Sequence, residues 1–377
     1  KPLLDVMDTG LKVKVNGEER LIEDYNRSIL KGFYSTFKAA DAHLQFVLLT
    51  GVTKFSQVSV FSGFNQPMDI SMNRQYDAIC GITKDELITQ LDEPVANMAQ
   101  ALGLDKEEMI ERLVKQYDGY HFSRGMVDMF NPFSVLNALN EQELRSYWFA
   151  TGTPTYLIRL LKHNHENLND LTGHYYRPAD FVDYKADVER PLPMIYQSGY
   201  LTIKGYNKMF ENYTLGFPNR EVEQGFFKFL LPNYASVSVS KSPYQIQCFV
   251  EEVMAGKVDD FFERLKTMFA DIPYELARDR EVHYQNILYI IFKLMGFYVQ
   301  VEYHTSRGRI DLVLQTQDYV YIMEFKLNGS ADEALAQIRE KGYAAPFAKD
   351  SRTVYKIGVN FSDELRNIQE VKVEMGQ

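Results

Sequence analysis

Hydrophobic and polar positions alternate most clearly in the C-terminal part of the chain. Ile287, Ile290, Ile291 and Leu294 fall at helical spacing between Glu281 and Met295, and Gly296 supplies a stop. Phe297 to His304 then predicts a strand. Ile310 to Thr316 and Tyr319 to Lys326 are rich in β-branched, aromatic and aliphatic residues, and Gln317-Asp318 is the only polar break between them. They predict the two strands of a hairpin. Ser330 followed three residues later by Glu333 is a capping box, opening a helix that carries Leu335 and Ile338. Thr353 to Phe361 predicts a last strand, so the order of elements is αβββαβ.

Charged residues interrupt this apolar pattern in one place. A loop centred between Gln317 and Asp318 sets Asp311 opposite Glu324 and Arg309 opposite Lys326. Directly opposed residues share a face with Cβ atoms about 4.5–5.5 Å apart. Glu324 and Lys326, two apart on one strand, also share a face. Asp311, Glu324 and Lys326 therefore converge. The rest of both faces is apolar, with Val313, Val320 and Ile322 on one and Leu312, Leu314, Met323 and Phe325 on the other, which predicts a strand pair covered on both sides. Two carboxylates held so close repel, and a divalent cation or a shared proton resolves the repulsion. An all-oxygen pair suits Mg²⁺, which also engages phosphate oxygens. A neighbouring lysine can orient or help deprotonate water and offset charge on a phosphate. The chemistry implied is metal-assisted hydrolysis of a phosphodiester; an exposed strand face with a salt bridge has the same spacing.

Earlier in the chain, Leu21 to Lys38 predicts an amphipathic helix and Leu44 to Thr50 a buried strand. Polar residues just beyond such a strand face the ligand crevice in α/β nucleotide-binding folds, although a solvated turn reads the same way. Lys84 to Leu161 is expected to be mainly helical. Tyr117, Tyr120, Phe122, Tyr147, Trp148 and Phe149 fit core packing between helices, with base stacking as the alternative. Asp180 to Tyr206 ends in a strand-like segment, and Glu221 to Leu231 with Gln245 to Met268 predicts a helical connector.

Composition narrows the class. A chain of 377 residues, 45% hydrophobic and 24% charged, has room for two or three packed domains. Its net charge of −10 gives no overall basic footprint for nucleic acid. From Glu281 onward 11 Lys and Arg stand against 13 Asp and Glu, close to neutral. Two scattered cysteines, Cys80 and Cys248, exclude a disulfide framework and fit a reducing cytoplasm. His163 and His165 read as a polar loop. The apolar runs at Leu44 to Leu49 and Ile287 to Phe292 are too short to span a bilayer, so no membrane partner is expected.

GRID with Asp311, EFK from Glu324 to Lys326, and QIREKGY after it resemble the PD-(D/E)XK nuclease superfamily. The resemblance is to the form found in a bacterial family that joins an AAA-ATPase-like region to such a domain. KPLLD, TGVTKFSQVSVFSGFNQPMDIS, CGIT, YDGYHF with NPFSVLNAL, YWFATGTPTYLI, YQSGYLTI and PNREV resemble segments of that ATPase-like region in the same order. It implies an α/β multidomain chain. Residues 1–215 would form an AAA-ATPase-like region, largely helical after residue 84, residues 216–275 a helical connector, and residues 276–377 a restriction-endonuclease-like αβββαβ domain. Asp311 and Glu324 would bind Mg²⁺ or Mn²⁺, Glu281 would complete the metal shell, Lys326 would serve the attacking water and Gln337 would contact the site. Arg307, Arg309, Lys341 and Tyr343 would contact nucleic acid, and Thr50 would lie near a nucleotide. No G-x-x-x-x-G-K-[ST] occurs, so ATP is expected to bind only where an N-terminal ATPase half is present, and the expectation is that this half has been removed.

Three functions follow from different classes. One is a metal-dependent DNA endonuclease, coupled in the intact protein to an ATPase. Another is a catalytically dormant nuclease fold that binds nucleic acid, and the third a protein-interaction scaffold. A homodimer is compatible with each, but nothing in the sequence sets a symmetry axis.

Overall fold

Two compact units divide the chain: Lys1–Asn164 with Leu171–Glu223, and His165–Asp170 with Gln224–Gln377. The computed structural model describes residues 6, 10–51, 68–151, 157–158, 160–161, 166–182, 191–235, 237–270, 280–306 and 309–376.

In the first unit, β1 (Lys12–Val15) and β2 (Glu18–Leu21) pair antiparallel across Asn16-Gly17. Both loop residues have positive φ, 52° and 89°, the backbone that a two-residue hairpin turn of matching twist requires. The amphipathic helix follows as predicted, as α1 (Ile22–Ala39). The buried strand expected over Leu44 to Thr50 does not form. Apart from the end of a short turn, these residues have no regular structure, and Phe46 is 80% exposed. A strand is stabilised by its ladder, and among the described residues none pairs with this segment; its apolar run was a cue to burial only in company.

The helical stretch is α2 (Lys84–Thr89), α3 (Asp92–Leu102), α4 (Lys106–Tyr117) and α5 (Pro132–Glu141). Leu87, Val95, Met98, Met109, Leu113, Tyr117 and Val135 form its core. Thr83 and Glu86 close a capping box at the start of α2. Tyr117, wholly buried, donates its hydroxyl to the Arg145 carbonyl at 2.7 Å, and Tyr147 packs in the same core. These aromatics are packing groups. β3 (Ile82–Thr83) pairs with β4 (Met129–Phe130), and a three-stranded sheet has the order β5 (Tyr175–Tyr176), β7 (Asn212–Gly216), β6 (Thr202–Asn207). Ahead of β6 the strand-like segment is partly helical, in α6 (Leu192–Gln197). The buried Glu221 carboxylate accepts from the Tyr147 and Trp148 amides at 2.5 and 3.0 Å, while burial pushes its pKa up.

The chain passes into the second unit within α7 (Arg220–Tyr234). There the predicted αβββαβ order is present as α10 (Arg280–Met295), β8 (Gln300–Ser306), β9 (Arg309–Gln315), β10 (Tyr319–Leu327), α11 (Ala331–Glu340) and β11 (Thr353–Ser362). One further strand, β12 (Asn367–Gly376), was not predicted. The sheet order is β12-β11-β10-β9-β8. Only β10 and β11 run parallel, and a parallel pair needs a crossover, which α11 supplies.

Both faces of the sheet are covered, as its two-sided apolar pattern predicted. On one, Val320 and Ile322 of β10 and Val354 of β11 pack beneath Leu335 and Ile338 of α11. On the other, the Tyr321 hydroxyl donates to the Val253 carbonyl of α8 (Ser242–Met254) at 2.6 Å, and the Phe325 ring lies 6.2 Å from Phe292 of α10. Phe261 of α9 (Val258–Ala270) stacks on the same Phe292. From Ile287 to Phe292 every residue of α10 is buried, as befits a helix enclosed by its neighbours. Just ahead of this stretch, Asn286 accepts from the Leu168 amide and donates to the Glu166 carbonyl, both at 2.8 Å.

The fit of α11 on the sheet turns on Gly358. A Cβ there would sit 2.2 Å from the Ala331 carbonyl oxygen and 3.0 Å from Leu335 Cγ. No side chain fits without lifting the helix. Gly358→Val is predicted to destabilise the protein by about 3 kcal/mol or more, the upper range for overpacking, measured as a lower urea midpoint at unchanged slope. An unchanged midpoint would show that α11 has slack over the sheet.

Candidate active site

The hairpin register is the one its loop predicts: Glu324 pairs with Asp311 and Lys326 with Arg309 across β9 and β10. Glu324 sits at the middle of the central strand with no exposed surface. Lys326 turns back along the strand so that its Nζ donates to Glu324 Oε1 at 3.1 Å. The same ammonium donates to Gln337 Oε1 of α11. Ser330 and Glu333 cap that helix reciprocally, each bond 3.1 Å long, which fixes where the helix starts and so where Gln337 lies. One acid, one cation and one amide thus converge on the face of the sheet that α11 covers.

A neighbour that sequence reasoning missed supports them. Asn360 of β11 is the register partner of Lys326 and almost wholly buried. Its Oδ1 accepts from the Gly329 amide at 2.9 Å and its Nδ2 donates to Gln369 at 3.0 Å. It holds the turn that leads from β10 into α11. The available signal was a single amide inside the apolar run of β11.

The other expected residues fall as follows. Glu281 lies in the first turn of α10 and Asp311 at its register position opposite Glu324; the side chains of Glu281, Arg309 and Asp311 are not among those described. Arg307 lies outside the described residues. Lys341 is exposed at the C-terminal end of α11, and Tyr343 packs half-buried against the core formed by Leu335 and Ile338. Thr50 lies exposed in the first unit, away from regular structure. Arg339 pairs with Glu374, which holds its guanidinium pKa up.

At the far end of the hairpin a second charged group fixes the strands. Arg352 donates to the Thr316 carbonyl and to Gln315 Oε1, each at 3.0 Å, and to both oxygens of Asp350, whose pKa it holds down to about 2.

Among the described residues no group of three His, Cys, Asp or Glu side chains is gathered as a metal site. The donors at hand are a buried carboxylate, a second carboxyl residue at the facing register position, and a side-chain amide held through Lys326. All are oxygen donors, the kind that hard divalent cations select.

An αβββαβ sheet with an acid pair in register and a lysine two residues on defines a nuclease fold of one class. Residues 279–371 match the PD-(D/E)XK nuclease superfamily, and residues 3–61 match a predicted AAA-ATPase. The chain is 32% identical over 357 residues to an uncharacterized protein in the vnfD 5' region of Azotobacter chroococcum mcd 1, an alignment covering 92% of this chain and 67% of that protein. It belongs to the family that joins an AAA-ATPase-like region to a C-terminal PD-(D/E)XK nuclease superfamily domain. No solved structure matches it. The superfamily generally uses divalent metal ions and acts on nucleic acid. No described helix is long and apolar enough to cross a membrane.

The Glu324–Lys326 pair makes a specific stability prediction. Removing one member of a buried ion pair leaves the other charge uncompensated, at about 3–5 kcal/mol. Lys326→Met alone should approach that loss in chemical denaturation, and adding Glu324→Gln should recover most of it. Additive losses would show that the two groups do not depend on one another.

Proposed function

We propose that the chain hydrolyses phosphodiester bonds in DNA with Mg²⁺ or Mn²⁺, through Asp311, Glu324 and Lys326. One observation carries the reading: a wholly buried carboxylate, paired with a lysine two residues on, faces a second carboxyl residue in register inside a domain that matches this superfamily. Asp311 and Glu324 would hold the ion, with Glu281 as a further ligand from α10. Bound there, a divalent ion supplies Lewis acidity toward a phosphate oxygen and lowers the pKa of water.

Lys326 contributes the remaining charge. Its ammonium, half-buried and tethered to Gln337, can donate to a water or to a phosphate oxygen as negative charge develops there. Gln337 acts as a positioning residue, limiting the rotamers of a long side chain before substrate arrives. Arg307, Arg309, Lys341 and Tyr343 would line the path of the nucleic-acid backbone, with phosphate contacts that weaken as salt rises. Thr50 and the first unit would serve nucleotide-dependent control, which on this reading needs an ATPase half with its phosphate-binding loop.

The dormant-module and scaffold readings share the fold and differ in one outcome. Incubated with Mn²⁺ and duplex, branched and single-stranded DNA, the parent chain should cut at least one substrate, and chelation of the ion should stop it. Asp311→Asn and Glu324→Gln should each lower the rate at least about 100-fold, assayed at a temperature where each variant is folded, with Asp311→Asn melting close to the parent and Glu324→Gln, which leaves Lys326 uncompensated, melting lower. A parent that binds DNA without cutting it would favour the dormant module; variants cutting at the parent's rate would remove these residues from the chemistry.

A further inference from the structure

β12 ends the sheet, and among the described residues no strand lies along its outer edge. It is ten residues long. Protein sheets usually keep such edges short, charged, bulged or covered. On this one, Val373 and Met375 are 39% and 74% exposed on the face away from α11. Its bulge sits at the other end, at Gln369, where Glu370 and Ile368 pair with the consecutive Asn360 and Phe361 of β11. The face towards α11 carries Glu370, Lys372 and Glu374, half-exposed and alternating in sign, with Lys372 paired to Asp332 and Glu370, and Glu374 to Arg339, on their own chain.

This alternation is self-complementary in one register. When two identical strands pair antiparallel, residues with edges turned the same way must face each other, so the two-fold axis passes through a residue. An axis at Lys372 would set lysine against lysine and Glu370 against Glu374, which repel. An axis at Val371 would match charges but set Met375, the most exposed apolar side chain of the strand, against the polar Asn367. With the axis at Val373, Val373 meets its copy, Val371 meets Met375 and Lys372 meets Glu374 twice. We propose that a second copy of this chain docks edge to edge on β12 about Val373, joining the two five-stranded sheets into one.

The axis is normal to the sheet and keeps each face on its own side. Glu324 is in register with Gly358, and Gly358 with Lys372, one residue from the axis. Two Glu324–Lys326–Gln337 clusters would therefore open on one side of the joined sheet, five strand spacings or about 24 Å apart. That consequence, unlike the dimer itself, rests on the nuclease reading, and it suits attack on both strands of one duplex.

The test reads mass without any nucleic acid, so its failure leaves the nuclease reading untouched. Sedimentation equilibrium of the full chain should give twice 43.8 kDa, and Val373→Lys with Met375→Lys should give the monomer at an unchanged melting temperature. In a Cys80→Ser background, Val373→Cys should form an intermolecular disulfide on mild oxidation, because facing Cβ atoms at a two-fold lie within disulfide reach; Gln369→Cys should not. A monomeric parent would overturn the proposal. So would a dimer that survives the lysine pair and fails to cross-link through Val373→Cys.

Discussion

A carboxylate with no exposed surface governs the second unit. An ionised group taken fully out of water carries a penalty of several kcal/mol unless a partner of opposite charge and a set of hydrogen bonds offset it. For Glu324 the partner is Lys326, held near by the two-residue period of the strand and aimed by Gln337. That amide is in place because α11 lies close on the sheet, and α11 lies close because β11 has no side chain at Gly358. The capping box at Ser330 and the Asn360 bonds at Gly329 fix where the helix starts. A stable fold does not require a charge at the middle of its central strand. Apolar residues pack there at less cost, so the acid and its supporting parts point to chemistry.

The first unit follows another logic. Its helical core is built from ordinary amphipathic periodicity, and its buried Glu221 takes two backbone amides on one carboxylate oxygen. Its N-terminal stretch, where the AAA-ATPase match falls, instead shows apolar side chains to solvent, from Ile29 and Phe33 of α1 to Phe46 and Leu48. The match and the exposed surface coincide over the same residues.

Legibility in the sequence followed the strength of the local physics. The hairpin was readable because a two-residue loop fixes register, and register fixes which charges face each other. The helix carrying Gln337 announced its own start at Ser330. β12 was missed because EVKVE in an edge strand has half its positions polar and offers no apolar run, although the alternation was there to be read. The β1–β2 hairpin was missed despite Asn16-Gly17, a strong turn signal. Leu44 to Thr50 failed in the opposite direction: an apolar run states what a segment would bury, while the ladder that would make it a strand depends on residues elsewhere. Asn360 escaped because its work is done through one backbone amide and one side-chain amide that no spacing rule records.

The central claim is that the register pair Asp311 and Glu324 forms the metal site. Mn²⁺ titration followed by electron paramagnetic resonance tests it directly, run on the parent chain and on Asp311→Asn with Glu324→Gln, each with a duplex oligonucleotide present to supply phosphate oxygens. The account predicts bound Mn²⁺ on the parent that is lost in the double variant while the fold is retained. Equal numbers of bound ions on both proteins would contradict it.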